Sequence, residues 1–598
     1  MGAEEATTAT AVVESSELRP TPEIGVSRSY VWHVLGLLVV LIALIPIVDN
    51  GSFAIPDEGV YSAQADNLSN GSWAAERPAS DIDSEGRWAV LSDSSFRGTD
   101  GIPYARRPLY PLMLTPFWKV GGLVGGIVLS IIGSWAAATV SGLIASRFDR
   151  RAAIPTLWLV GIGSPLLFDA YLLVGHSPAA AFAAVLCLAV VRSLESRSQC
   201  ETRVSIAPAW AAVALAAAVA LTLIRTEGVL LVAGLAVGVG GLSLDLRRRR
   251  VDPAPALFAF LLVVAGAATY ALNILWAKTL TTGAGGDVSV VDRKTDATAS
   301  FWYSVLRPWY PDNTAASVTM TLVVFASISA PLLLHFLPRL RAVAVGLLTM
   351  AAVASVLRLF ENSDLISGLA ATVPWLVVGL VLLSRDQLRR PRTGVLLCGV
   401  LVAFVGITLT AYGAGGASEW GGRFYHLLLP ALAALGALGL LRLRIMLPSL
   451  EFRVAAVALL VIVLSLAVAC VRASVEIRGV SKQLESFIIE ESATDATGPL
   501  VFSPLQRTGI ARVLWRTSSV ERPLLTTPAL GFLPHLLDDI PTGTDHVTVL
   551  TDISNRDIIE SLVRHSEASR WSVDAAAPER GPLAIYRLVR IDAQPARG

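Results

Sequence analysis

Charge is what this sequence has least of. Only 16% of its 598 residues are Asp, Glu, Lys or Arg, whereas 54% are hydrophobic and the mean hydropathy is +0.60. That balance excludes a disordered chain and argues against an ordinary soluble enzyme, which has too little interior to hide so much apolar surface. Lysine is nearly missing, confined to Lys119, Lys278, Lys294 and Lys482, a bias we attribute mainly to codon usage. With 48 basic and 47 acidic residues the formal charge is +1, so no bulk electrostatic attraction marks nucleic acid as a partner. Cys187, Cys200, Cys398 and Cys470 stand in or beside apolar segments at unrelated spacings, a pattern that suggests neither a disulfide framework nor a zinc site.

What the sequence has in abundance is long apolar runs. Crossing about 30 Å of hydrocarbon takes roughly 20 mostly apolar helical residues, because the backbone must satisfy its own hydrogen bonds there. By that criterion about thirteen segments qualify: 31–48, 121–146, 153–171, 178–193, 206–224, 228–245, 254–277, 317–337, 342–357, 366–384, 394–412, 426–441 and 454–471. The expected fold class is an all-α polytopic membrane protein.

Residues 1–28 lack a basic start and a small-residue cleavage site and read as a disordered cytoplasmic tail. With that end inside, the short inner loops hold Arg147, Arg150, Arg151, Arg192, Arg247 to Arg250, Arg339, Arg341, Arg389, Arg390, Arg442 and Arg444, while the short outer loops hold Arg225, Arg358 and Arg423. This positive-inside asymmetry sets the orientation. An odd number of spans then puts residues 472–598 outside, where His546 to Leu550 and Leu583 to Val589 read as strands and Ser554 to His565 as a capped amphipathic helix. The expected organisation is a tail (1–28), a transmembrane domain (29–471) with a long first outer loop (49–120), and a small extracytoplasmic α/β domain (472–598). Length is spent on the outer face, so function is expected there.

Directly after the first span the chain reads Ile55-Pro56-Asp57-Glu58-Gly59-Val60-Tyr61, and before re-entering the membrane it reads Arg106-Arg107-Pro108-Leu109-Tyr110-Pro111. A carboxylate pair at the membrane edge, an aromatic nearby and a basic Pro-containing re-entry together resemble the GT-C superfamily of membrane glycosyltransferases, in the branch that contains the aminoarabinose transferase and the protein O-mannosyltransferases. The match departs from the family in having Arg107 where Lys is usual and one Pro fewer. Later outer ends carry Gly175-His176-Ser177-Pro178, Arg225-Thr226-Glu227-Gly228 and Trp420-Gly421-Gly422-Arg423-Phe424-Tyr425. The last is similar to a Gly-Pro-Arg-Tyr stretch of such enzymes, with Gly422 where Pro is expected.

The resemblance implies transfer of a sugar, typically with inversion, in the bacterial plasma (inner) membrane. Chemistry gives the same outline, since nucleotide sugars and ATP are normally absent outside the membrane and a transferase there needs a sugar activated in the bilayer, such as a polyprenyl-phosphate sugar. The acceptor, whether glycan, lipid or protein, is a hydroxyl whose proton a carboxylate must take; Asp57 is the candidate. Glu58 either orients the acceptor or helps hold a divalent metal, although two adjacent carboxylates are too few to specify one. No other cofactor is called for. Tyr61, Arg107, His176, Arg225 and Arg423 are the candidate substrate-binding residues, the cations matching charge that builds on the leaving phosphate. Bland readings accompany each: Arg107 snorkelling to lipid headgroups, an Arg225–Glu227 structural ion pair, His176 as a loop histidine, Arg423 anchoring the next span, and Phe301, Trp302, Tyr303, Trp309 and Tyr310 forming an interfacial belt. The competing functions are a lipid-linked glycan flippase, which needs charge at mid-membrane depth, and a non-catalytic envelope-assembly protein.

Overall fold

The computed structural model describes residues 27–75, 82–83, 88, 102–103, 107–194, 206–245, 250–281, 298, 301–307, 314–361, 365–366, 368–410, 420–493, 498–503, 524–527, 530–552, 561, 571–580 and 583–591. Nearly all of the expected amino-terminal tail, Arg106, Trp309, Tyr310 and all but one residue of the expected 554–565 helix lie outside these residues.

Among the described residues the principal helices are α1 (Arg28–Ala43), α2 (Pro56–Ser69), α3 (Leu109–Ser146), α4 (Ala153–Gly161), α5 (His176–Ser193), α6 (Pro208–Ile224), α7 (Gly228–Ser243), α8 (Pro253–Thr281), α9 (Thr314–Phe336), α10 (Arg341–Leu357), α11 (Pro374–Val381), α12 (Pro391–Thr410), α13 (Leu429–Leu441), α14 (Ser449–Ala493) and α15 (Leu533–Asp539). Among the described residues nine helical segments are long and apolar enough to cross a membrane, and α6 and α7 are apolar but shorter. The protein is a multi-pass membrane protein. Two expected spans are not continuous helices. The run expected at 153–171 breaks after Gly161 and resumes as a single turn, Leu166–Asp169, and the run at 366–384 is split at Val373, just before Pro374. Pro165 and Pro374 disfavour a helical backbone in the residue before each, which hydropathy alone does not register.

Close approach is made through small residues, as in bilayers, where apolar side chains gain nothing by leaving lipid for one another. A Cβ on Gly439 of α13 would run into the Gly379 carbonyl of α11, so these helices meet backbone to backbone.

Two features bind the membrane helices to the carboxy-terminal sheet domain. First, α14 does not stop at the membrane edge expected near residue 471. Its 45 residues extend about 67 Å at 1.5 Å per residue, more than twice the hydrocarbon thickness. On the part beyond residue 471, Arg478 is fully buried. It donates to Glu58 at 3.1 Å and to the carbonyls of Ser52 and Tyr171, while Lys482 donates to the Asn50 carbonyl at 2.9 Å. Second, the sheet domain takes a side chain from the segment between α2 and α3 into its core. Its five-stranded sheet comprises β1 (Leu500–Phe502), β2 (Leu524–Thr526), β3 (His546–Asp552), β4 (Trp571–Arg580) and β5 (Leu583–Arg590), in the order β2-β1-β3-β5-β4. The β2-β1-β3 part is parallel and the β3-β5-β4 part antiparallel. Trp88 packs among Val501, Leu525, Leu537 and Val549, donates its indole N–H to Asp539 at 2.9 Å and offers its carbonyl to Thr526 N–H.

Arg478→Ala leaves Glu58 buried without its cation, a loss of about 3–5 kcal/mol when one partner of a buried pair is removed. Its melting temperature in detergent should fall sharply, and Glu58→Gln added to Arg478→Met should recover part of the loss; melting of the single variant at the wild-type temperature would contradict the assignment.

Candidate active site

The site begins at the amino-terminal turn of α2. Pro56 occupies the first helical position, where a missing N–H costs nothing, and Asp57 and Glu58 follow in the first turn, where the helix dipole favours negative charge. Successive helical residues are turned about 100° apart, so the two acids face different ways. Glu58 is fully buried and reaches back to the N–H groups of Ala54 at 2.5 Å and Ile55 at 3.1 Å. It also accepts from Leu173 N–H at 3.0 Å and from Arg478. Its two oxygens are thus held by four donors, and its role in this geometry is to lock α2 in place. Asp57 instead has a side chain 40% exposed and faces Arg423, with Nη1–Oδ2 at 3.6 Å.

One turn further on the same face is Tyr61, whose ring meets Tyr110 edge-on at 4.8 Å. Burial and the Asp57 charge raise the Tyr61 hydroxyl above its ordinary range, and the charges of Arg107, Arg225 and Arg423 oppose this without reversing it. Tyr61 therefore stays protonated at neutral pH and is a hydrogen-bond donor. These charges are linked by contacts, Arg423 to Asp57, Arg107 and Arg225 to Glu227, and Arg225 and Arg423 to the same Phe424 ring.

The cations arrive from three separate elements. Arg107, just ahead of α3, donates to Thr226 Oγ1 at 2.6 Å and lies 3.9 Å from Glu227. Arg225 caps the end of α6, its N–H bonding the Leu221 carbonyl, and its side chain pairs with Glu227 at 3.0 Å. Arg423 follows a turn in which Gly421 and Gly422 both have positive φ, 74° and 68°. The departure from Pro at 422 has its physical reason here: Pro is fixed near −65° and cannot adopt this backbone, and a Cβ at 422 would collide with the Ser304 carbonyl. The guanidiniums of Arg225 and Arg423 lie over the Phe424 ring at 5.7 and 4.9 Å. His176 is buried at the start of α5, its ring 5.7 Å from that of His426, and its charge is felt by Glu227.

Burial alone would raise the Glu227 carboxyl, but Arg225 and Arg107, helped by a hydrogen bond from its own backbone and by His176, bring it down to about 2. A carboxylate this acidic is a poor proton acceptor, so Glu227 serves to organise the two arginines. Among the described residues, three guanidiniums beside Asp57 and Glu227 make a positively charged cluster suited to an anion such as a phosphate.

All of the residues singled out in the sequence, Asp57, Glu58, Tyr61, Arg107, His176, Arg225 and Arg423, come to this region, with Glu58 at its back rather than its mouth. The sequence reading missed Arg478, which lies in a polar stretch with no motif around it, and gave Glu227 no role beyond pairing with Arg225. Of the aromatic set, Phe301 and Trp302 are exposed, while Tyr303 lies under Arg307 with its ring centre at 4.7 Å.

No family model matches the sequence, and no curated protein matches it. Solved structures do match its backbone. ArnT from Cupriavidus metallidurans in the apo state superposes with a TM-score of 0.50 at 13% identity, covering 94% of this chain and 98% of that one. The Archaeoglobus fulgidus oligosaccharyltransferase tethered to an acceptor peptide gives 0.52 at 12% identity, over 93% of this chain and 74% of that one. The chain has the GT-C fold. At this identity the likeness is one of fold, and within the GT-C framework the charged cluster lies where α2, α3, α5, the α6–α7 turn and the approach to α13 meet.

Gly422→Ala introduces both a positive-φ strain and a clash, a cost of about 1–3 kcal/mol. The variant should melt lower and show Arg423 displaced from Asp57; unchanged melting would mean that this turn does not set Arg423.

Proposed function

We propose that this chain is a glycosyltransferase of the bacterial plasma membrane that moves a sugar from a polyprenyl-phosphate donor to a cell-envelope acceptor on the extracytoplasmic side. The observation that carries the reading is a partly exposed carboxylate, Asp57, paired with Arg423 next to two further arginines, Arg107 and Arg225, that share Glu227 at the ends of apolar helices. The GT-C fold supports it. So does the A. fulgidus oligosaccharyltransferase AglB, which shares the fold at a TM-score of 0.50 and 12% identity over 90% of this chain and 71% of that one, in a complex with an inhibitory peptide and a dolichol-phosphate.

In this reading the acceptor oxygen attacks the anomeric carbon while Asp57 takes its proton, and the carbon–oxygen bond to phosphate breaks with its electron pair going to the leaving polyprenyl phosphate. Arg107, Arg225 and Arg423, with the Tyr61 hydroxyl, stabilise the charge that builds there. Fixed cations in a partly dry site do this more effectively than water, because they need no reorganisation. A single displacement inverts the anomeric centre. Arg423 holds Asp57 towards the acceptor.

A structure of the Archaeoglobus fulgidus oligosaccharyltransferase is in complex with Zn and sulfate, and the one place here where two carboxylates adjoin in sequence at the site is Asp57 and Glu58. The adjacent pair does not fit a divalent metal, because both Glu58 oxygens already accept from backbone N–H groups and Arg478.

Two outcomes check the proposal. Asp57→Asn keeps shape but not basicity, so kcat should fall about a hundredfold or more while the donor still binds; turnover near the wild-type rate would move the base elsewhere. Cysteines placed singly at Ser72 and Thr542, both exposed, should react with an impermeant thiol reagent on intact cells, and protection of one while the other reacts would overturn the orientation.

A further inference from the structure

Behind the arginine cluster lies a second pair of titratable groups that the proposed chemistry does not use. Asp169, at the end of the Leu166–Asp169 turn, and His426, three residues after Arg423, are both fully buried. His426 Nδ1 lies 2.5 Å from Asp169 Oδ2, and its Nε2 lies 3.0 Å from the Gly421 carbonyl oxygen. A carbonyl only accepts, so Nε2 carries a hydrogen, and the remaining proton of the pair is shared between Nδ1 and the carboxylate. Asp169 Oδ1 has no hydrogen-bond partner among the described residues. Leaving a buried carboxylate oxygen unpaired costs free energy, which simple packing does not require.

The purpose is visible at the other end of the imidazole. Gly421 and Gly422 are the two positive-φ residues whose turn delivers Arg423. Gly421 is fixed from both sides, its N–H bonding the Ile366 carbonyl at 2.7 Å and its carbonyl accepting from His426. Glycine backbones sample many conformations unless tied, and here the ties replace the rigidity that Pro would have supplied. We propose that Asp169 and His426 form a positioning couple that holds the Gly421–Gly422 turn and thereby keeps the Arg423 guanidinium opposite Asp57. Asp169 orients the ring, the ring holds the turn, and the turn aims the cation.

This rests on the proposed function only for the ligand used to read it out. Dissociation constants for undecaprenyl phosphate are measured by titration calorimetry on purified wild type, His426→Leu, His426→Asn and His426→Gln, with melting temperatures for each. The Gln amide N–H reaches the position of Nε2, whereas Asn reaches only that of Nδ1. His426→Leu and His426→Asn should bind about tenfold more weakly, the equivalent of one charge-assisted contact, and His426→Gln should stay within about threefold of wild type. A purely structural histidine would move melting temperature without separating Gln from Asn, so equal affinities in those two variants overturn the couple. Should wild type bind no polyprenyl phosphate, the proposed function fails, and a structure of His426→Asn still decides the couple: Arg423 displaced from Asp57 supports it, and Arg423 unmoved overturns it.

Discussion

An arginine and a glutamate fully removed from water are tolerated only when each satisfies the other and the remaining hydrogen-bonding capacity of both is used. Arg478 and Glu58, 420 residues apart in the chain, come close to that condition: both Glu58 oxygens and both terminal guanidinium nitrogens are used, and only Arg478 Nε has no partner among the described residues. Around them the Ser52 and Tyr171 carbonyls and the N–H groups of Ala54, Ile55 and Leu173 make up the shell. The first outer loop, the last long helix and the segment preceding α5 are therefore pinned at one point. Asp57 is the neighbour of Glu58 in sequence, so pinning Glu58 fixes where Asp57 projects.

The mouth of the site has a different logic. There Asp57, Arg107 and Arg423 are partly exposed while Arg225 is buried, and each arginine is held by neighbours: Arg107 by Thr226, Arg225 by Glu227, Arg423 by Asp57 and the Phe424 ring. Preorganised cations of this kind suit an anion that arrives and leaves, because their own geometry does not depend on its presence. The two regions share one helix turn, so stability is concentrated at Glu58 and reactivity at the residue before it. Through Trp88 and the extension of α14 the sheet domain is attached to both the first loop and the last long helix.

The membrane architecture was legible because hydropathy is a collective signal, robust to single residues. It failed at 153–171 and 366–384, where Pro165 and Pro374 break runs that composition alone treats as continuous, and at α14, where an amphipathic helix simply continues out of the bilayer. Asp57, Tyr61, Arg107 and Arg423 were picked out because they match a family pattern, and Arg225 because it stands at the end of an apolar run. What separated Asp57 from Glu58 was not legible: the two are chemically alike, and only the burial of Arg478, which no local pattern announces, gives them different tasks. The same is true of the Asp169–His426 contact, since residues 257 apart in sequence carry no mark of their meeting.

The central claim is that Asp57 and the three arginines form one lipid-phosphate site. Its most direct measurement is a structure of the whole chain with a non-hydrolysable polyprenyl-phosphate sugar bound. The account predicts the phosphate within hydrogen-bond distance of at least two of Arg107, Arg225 and Arg423, with the anomeric carbon presented to the Asp57 side. A phosphate bound away from these guanidiniums, with Asp57 facing solvent, would contradict it.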